Sequence, residues 1–241
     1  MTLRVVTWNC NGALRRKWRH IAALQADVYV IQECEDPSSS LDEAYQAWAR
    51  RHLWVGTSRH KGLGVFVTGR HRLAGVDLPH EPLQLFLPCK VDGWPLLAVW
   101  TKASSPDFRY IGQLWKFLQL HPAFLADPRA MAVGDFNANA IWDTDKRCWN
   151  HSDVVRELDG LGLRSCYHRH FDEAQGMESR PTYFQHRHPT RPYHLDYGFA
   201  GTGWCVRDVE IGETREWLAH SDHMPIALAL ERGRASRSRA A

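Results

Sequence analysis

The sequence contains no C-x-x-C pair. Its six cysteines, Cys10, Cys34, Cys89, Cys148, Cys166 and Cys205, lie scattered along the chain. That spacing excludes a zinc ribbon and argues against a small disulfide scaffold. No apolar run approaches the roughly 20 residues needed to cross a bilayer, so no membrane span is expected. Residues 1–8 run directly into a strand pattern without a signal-peptide apolar region. The Asn150-His151-Ser152 sequon therefore carries no weight, and a reduced, soluble, cytoplasmic protein is expected. No period of roughly 20 to 50 residues recurs, which excludes a solenoid. Neither charge sign dominates: 30 Lys and Arg stand against 27 Asp and Glu, for a net charge of +3. This balance is compatible with a polyanionic ligand without requiring one. No feature marks a protein partner.

What is present suits a folded domain. The 241 residues are 44% hydrophobic and 24% charged, enough to bury a sizeable core. A single domain over residues 1–231 is expected, followed by a disordered Arg-rich tail over 232–241.

The chain alternates strand and helix patterns, and several strand patterns stop on polar residues. Residues 3–8 are rich in β-branched side chains and are followed by Asn9-Cys10-Asn11-Gly12. A helical stretch with Leu14, Trp18, Ile21 and Gln25 near one face leads to an apolar strand over 27–33, ending in Gln32-Glu33. Ser40 is positioned to cap a helix running to Arg50. Short strands follow at 63–67, 83–87 and 96–100. Ile111, Leu114, Trp115 and Leu118 mark a helix that feeds a strand over 129–133, and this strand opens onto Gly134-Asp135-Phe136-Asn137-Ala138-Asn139. Later, Ser152 caps a further helix, residues 163–167 read as a strand, and 168–192 read as a loop broken by strand-like Thr182-Tyr183-Phe184. Strands over 194–200, 204–211 and 226–230 complete the pattern. Asn9/Asn11 and Asn137/Asn139 repeat an N-x-N spacing, which suggests a sandwich of two related halves.

Gly-Asp and Asn pairs also make ordinary turns. The functional reading rests on their number at strand ends, where open α/β sheets keep their sites. The collected set is Asn9, Asn11, Glu33, Asp135, Asn137, Asp196, Asp222 and His223. Carboxylate and amide oxygens suit a hard cation such as Mg²⁺ or Mn²⁺. One histidine beside carboxylates supplies a proton-handling group or a cationic phosphate contact. Phosphoester hydrolysis needs both, with Asp196 the candidate to orient His223.

Trp8-Asn9-Cys10-Asn11-Gly12, Gln32-Glu33, Gly134-Asp135-Phe136-Asn137, His194-Leu195-Asp196-Tyr197 and Ser221-Asp222-His223-Met224-Pro225-Ile226 resemble, in order, the motifs of the endonuclease/exonuclease/phosphatase superfamily. The resemblance spans residues 3–230. It implies a DNase-I-like fold, an α+β four-layered α/β/β/α sandwich, and metal-dependent phosphoester hydrolysis. By motif position, Glu33, Asn11 and Asp222 look like metal-side residues, with Asn11 where many relatives carry Asp. Asp135 and Asn137 resemble the residues that handle the attacking water, and His223 the catalytic histidine paired with Asp196. Asn9 matches a phosphate- or metal-proximal residue, with Lys102 and Tyr110 as candidates for a further phosphate contact.

The resemblance implies a Mg²⁺- or Mn²⁺-dependent phosphodiesterase. Mild basicity and the arginines near the motifs favour nucleic acid, as substrate of a DNA endonuclease or exonuclease. The alternatives are a phosphatase or phospholipase-C-like hydrolase of inositol phosphates or sphingolipid head groups, and a non-catalytic binding module on the same scaffold. His168, His170, His186, His188 and His194 are expected to be surface groups. Trp100, Trp142 and Trp149 are candidate base-stacking platforms among tryptophans that otherwise pack in the core.

Overall fold

A computed structural model describes residues 2–103 and 108–233. In chain order, one sheet receives β1 (Thr2–Asn9), β2 (Val28–Cys34), β3 (His52–Ser58) and β4 (Lys61–Val67). A second receives β5 (Leu73–Gly75), β6 (Phe86–Val91), β7 (Trp94–Trp100), β8 (Met131–Asp135) and β9 (Leu163–Ser165). A short hairpin of β10 (Tyr183–Phe184) and β11 (Pro192–Tyr193) follows. Then β12 (Asp196–Gly201) returns to the second sheet, and β13 (Trp204–Ile211) and β14 (Ile226–Arg232) to the first.

The strand patterns explain why two sheets stack with both faces covered. Along β1, Leu3 and Val5 enter the core between the sheets, while Val6 and Trp8 enter an outer core. Along β8, Met131 and Val133 face the central core and Ala132 the opposite outer core. Successive residues on a strand face opposite sides, so an unbroken apolar strand needs cover on both. Helices Ile111–Leu120 and His151–Gly160 cover one outer face through Ile111, Leu114, Phe117, Val154 and Leu158. Leu14, Ile21, Tyr45, Ala49 and Trp217 cover the other. The result is the expected α/β/β/α sandwich.

The strand orders are β13-β14-β1-β2-β4-β3 and β9-β12-β8-β7-β6-β5. In both, the central pair is parallel and every other pairing is antiparallel. β1 and β8 hold equivalent places in the two sheets, which accounts for the repeated N-x-N spacing.

Several boundaries differ from the sequence reading. Asp42, not Ser40, caps the helix Glu43–Trp48, its carboxylate accepting from Tyr45 N at 3.0 Å. Asn150, not Ser152, caps His151–Gly160 in a reciprocal pairing with Asp153. Leu85 has a φ of 63°, and the strand placed at 83–87 begins instead at Phe86. The strand from Leu163 stops at Ser165, whose side chain accepts from His168 N and starts a helix, Cys166–Phe171, inside what read as strand and loop. Arg232 closes β14 and Gly233 N donates to the Gly203 carbonyl at 2.8 Å, so the expected disordered tail does not begin at 232; residues 234–241 lie outside the described residues.

Gly134, in β8 opposite Val99 of β7, has φ 149°, and an added Cβ there would lie 1.9 Å from the Val99 carbonyl oxygen. Only glycine allows that approach, which fixes Asp135 opposite Trp100. We expect Gly134→Ala to lower the unfolding free energy by about 3 kcal/mol, read by chemical denaturation. A variant as stable as the parent would remove this constraint.

Candidate active site

Strand alternation decides where the polar ends point. Asn9 continues the side of β1 that carries Leu3 and Val5, and Asp135 the side of β8 that carries Met131 and Val133. On β12, Asp196 shares its side with Ala200, also in the central core. These groups therefore converge in the seam between the sheets, at its open end. Asp196 stands directly opposite Asp135 in the antiparallel β8/β12 register. Both carboxylates are fully buried.

His223 precedes β14 and closes the group from the first sheet. Its Nδ1 lies 2.8 Å from Asp196 Oδ2. Three contacts fix its backbone: Ser221 Oγ accepts from His223 N at 3.0 Å, Trp8 Nε1 donates to its carbonyl at 2.9 Å, and Tyr183 bridges to it from β10. Ser221 Oγ also donates to the Asn9 carbonyl at 2.6 Å, tying His223 to the end of β1. Thr182 Oγ1 accepts from Leu195 N and Asp196 N, holding the start of β12.

Asn9 is the hub of the cluster. Its Nδ2 donates to Asp135 Oδ2 at 3.0 Å and lies 3.4 Å from Glu33 Oε1, and its Oδ1 accepts from Asn11 N at 3.1 Å. Asn11 Nδ2 donates in turn to Asp222 Oδ1 at 3.1 Å. On the other side, Asn137 donates to Asp135 through both its backbone N (2.9 Å) and its Nδ2 (3.1 Å), and Nδ2 also reaches the Thr101 carbonyl at 2.8 Å. Asn137 adopts φ 45°, a left-handed conformation that asparagine tolerates.

Glu33 reaches this cluster only because β2 is irregular. Strict alternation would place it with Tyr29 and Ile31, which face the outer core. The register to β4 shifts between Gln32 and Cys34, and Glu33 takes φ 60°. A bulge of this kind re-aims a side chain, here toward Asn9. Two residues on, the buried Glu35 accepts from Leu14 N (2.8 Å) and Arg15 N (2.7 Å), holding the loop that carries Asn11.

The electrostatics follow from burial. Asp135 is pushed up to about 7, first by desolvation and then by the Asp196 charge, against the opposing pull of His223 and the Asn9 amide. Burial disfavours charge on His223, but the carboxylates of Asp196 and Asp135 outweigh it and raise the imidazole to about 9. Acceptor atoms of Asp135, Asp196 and His223 lie within 4.8 Å of one another. The Nδ1 contact to Asp196 orients the imidazole beside both carboxylates, an arrangement suited to proton handling.

Oxygen donors suited to a hard cation also stand beside this trio. Glu33 and Asp222 supply carboxylates and Asn11 an amide, with no sulfur among them. Glu33 already holds a cation: Lys61 Nζ lies 2.6 Å from its Oε2. An ammonium standing against this carboxylate shows that the position accepts positive charge.

Of the residues singled out from sequence, Asn9, Asn11, Glu33, Asp135, Asn137, Asp196, Asp222 and His223 are linked in one hydrogen-bonded group. Lys102 and Tyr110 stand outside it: Lys102 Nζ lies 5.0 Å from the Trp100 ring, and Tyr110 precedes the helix Ile111–Leu120. Trp100 is buried in the central core and offers no stacking face, while Trp149 is half-buried against the outer core with the Arg147 guanidinium 4.6 Å from its ring. His194 is buried rather than superficial, and desolvation lowers its pKa to about 4. His168 is bound 3.0 Å from the Glu178 carboxylate. Lys61, Ser221, Thr182 and Tyr183 were not assigned to the site from sequence. Their roles depend on contacts between distant segments, and only the Ser221 motif and the strand-like 182–184 gave a signal.

No family model matches the sequence, and no curated protein matches it significantly. The fold is nonetheless that of the endonuclease/exonuclease/phosphatase superfamily, and the likeness at these low identities is one of fold. A substituted form of the Neisseria 3′ phosphatase NExo, bound to product DNA hairpin, superposes with a TM-score of 0.69 at 19% identity, covering 96% of this chain and 100% of that one. An endonuclease/exonuclease/phosphatase protein from Beutenbergia cavernae gives 0.65 at 17% identity, covering 96% and 72%. An AP endonuclease from Archaeoglobus fulgidus gives 0.65 at 16% identity, covering 94% and 98%.

Lys61 would compete for Glu33 with a divalent cation bound there. Its side chain is half exposed, so the pair is worth at most about 1 kcal/mol. Lys61→Ala should therefore tighten Mn²⁺ binding up to about fivefold in a calorimetric titration. Unchanged or weaker binding would show that the cation sits elsewhere.

Proposed function

We propose that the chain is a Mg²⁺- or Mn²⁺-dependent phosphodiesterase acting on nucleic acid, as a DNA endonuclease or exonuclease. The observation that carries this reading is the buried imidazole of His223, held by Asp196 beside Asp135 at the open end of the seam. A scaffold that only binds has no need of such a group, and burying two opposed carboxylates is costly without a function.

Each residue has a role that its environment suits. Glu33, with Asn11 and Asp222, would hold the cation, which supplies positive charge for the phosphate oxygens when bound. Asp135, raised to about 7, is poised to take a proton from the attacking water near neutral pH. Asn9 and Asn137 fix its orientation through their amides. His223 binds Asp196 through Nδ1, which leaves Nε2 to donate to a phosphate oxygen as negative charge develops there.

Charge near the mouth favours a polyanion. Arg15, Arg16, Arg59 and His60 line a cavity of about 520 Å³ in which Glu35 and Asp42 are the acidic members, with Arg15 3.5 Å from Glu35. This cavity is continuous in sequence with the Asn11 loop on one side and with Lys61 on the other. The DNA-bound Neisseria structure supports the same substrate class. No described helix is long and apolar enough to cross a membrane.

The direct test is a panel of plasmid, abasic duplex, single-stranded DNA, RNA, inositol phosphate and phospholipid substrates, each with Mg²⁺ and with EDTA. Cleavage of nucleic acid that needs Mg²⁺ and weakens steeply with salt is expected. Salt-insensitive turnover of a small or lipid phosphoester alone would replace the nucleic-acid reading. Asp135→Ala and His223→Ala should each abolish cleavage while retaining a cooperative thermal transition; full activity in either removes the mechanism.

A pH measurement isolates Asp196. His223 stays protonated until pH approaches about 9 because of the neighbouring carboxylates. Removing one of those charges in Asp196→Asn should move the alkaline limb of kcat/KM downward by about one pH unit or more. In the metal-free protein, the raised His223 pKa adds stability that is complete below its ordinary 6.5 and lost as pH rises through 9. An unshifted alkaline limb in Asp196→Asn would rule out the proposed pairing.

A further inference from the structure

A strip of aromatic rings leads away from His223. The Tyr183 ring lies 4.7 Å from the His223 ring, and Tyr193 lies 6.3 Å beyond, stacked on Tyr183. Trp142 follows at 5.1 Å from Tyr193. The strip ends at a cavity of about 160 Å³ lined by Trp142, Tyr110, Arg147, His151, Asn137 and Asn139. Asn137 thus belongs both to this cavity and to the group around Asp135.

These rings are not core. Phe136 and Phe199, also stacked near the site, are almost fully buried, whereas Trp142 and Tyr110 are 44% and 43% exposed. Tyr183 and Tyr193 are half-buried and paired across the hairpin, so both rings stand on one face of it. The hairpin is anchored to the catalytic segment: Phe184 N donates to the Asp222 carbonyl at 2.8 Å, and Met224 N to the Thr182 carbonyl at 2.7 Å. Exposed aromatic rings fixed to a reactive histidine are placed for ligand contact rather than for folding. Arg147, which donates to the Trp142 carbonyl, adds positive charge beside the outer ring.

We propose that Tyr183, Tyr193 and Trp142 form a stacking track for unpaired nucleobases, delivering a single-stranded segment of nucleic acid to His223. The proposal rests on the phosphodiesterase reading and specifies its substrate as unpaired strand. Every base presents a π-face, so such a track binds single strands without sequence preference. A base held within an intact duplex cannot offer its face to a ring on the protein.

The test uses binding in EDTA, where hydrolysis plays no part. Short single-stranded DNA and RNA carrying 2-aminopurine at successive positions are titrated with the full chain. The controls are a blunt duplex with the same probe and a base-free oligomer of tetrahydrofuran phosphates. We expect quenching of the probe in the single strands and none in the duplex. Trp142→Ala and Tyr193→Ala should each weaken single-strand binding about tenfold. Trp142→Phe should stay within about threefold of the parent, since it retains a ring. All variants should bind the base-free oligomer alike and keep the parent thermal transition. Alanine variants that bind single strands as the parent does would overturn the track. So would an equal loss of affinity for the base-free oligomer, or quenching of the duplex probe as strong as that of the single strand. Absence of phosphoester cleavage across the substrate panel, with quenching intact, would instead overturn the hydrolase reading alone.

Discussion

Two buried carboxylates face each other across neighbouring strands, and the site depends on how that conflict is resolved. Asp135 and Asp196 are a directly opposed pair of the β8/β12 ladder, both fully buried. Like charges in that position repel, and desolvation adds to the cost. His223 brings an imidazolium from the other sheet, and the Asn9 and Asn137 amides turn their donors toward Asp135. The compromise leaves Asp135 near the middle of the titration range and His223 above it. Those are the states wanted of a base and of a cationic donor working at the same pH.

The hydrophobic core sets these values indirectly. Leu96, Ala98, Met131, Val133 and Leu228 pack the seam dry up to its open end. The carboxylates that continue those faces inherit a low-dielectric wall on one side and substrate access on the other. Gly134 lets the β8 backbone approach β7 closely enough to keep Asp135 in register with Trp100. Packing and chemistry are thus one constraint: a shift of either sheet along the other would separate Asp196 from His223.

Much of this was legible in the sequence because strand periodicity is strong here. Asp135 closes one apolar strand and Asp196 opens another, and both fall where alternation puts them. Glu33 is different: its position could be read, but its direction could not, since alternation points it at the outer core and only the bulge turns it inward. Lys61 follows the turn residues Arg59 and His60 and looks like any surface lysine until β4 pairs with β2. Tyr183 read as part of a strand, yet its meaning comes from pairing with the distant His223. The misplaced helix caps have a local cause, because Ser40 and Asp42, or Asn150 and Ser152, are capable capping residues two positions apart. Lys102 and Tyr110 lie close in sequence to β7, yet Lys102 Nζ stands 5.0 Å from the Trp100 ring and Tyr110 lines a cavity with Asn137.

Charge balance at the mouth explains why Lys61 is where it is. Glu33, Asp135, Asp196 and Asp222 are joined through Asn9, Asn11 and His223. When all are ionised, four carboxylates meet one imidazolium and one ammonium, leaving two negative charges in a partly enclosed space. Without further cations the site relieves this by holding a proton on Asp135, consistent with its raised pKa. A divalent ion beside Glu33 would offset the same excess, so its arrival should favour the ionised form of Asp135 that accepts a proton. Lys61, if displaced from Glu33, would remain available as an ammonium for a phosphate. Asn11 fits this balance: a carboxylate there would add a charge that neither the lysine nor the imidazolium is placed to offset, while its amide keeps the link to Asp222 without it.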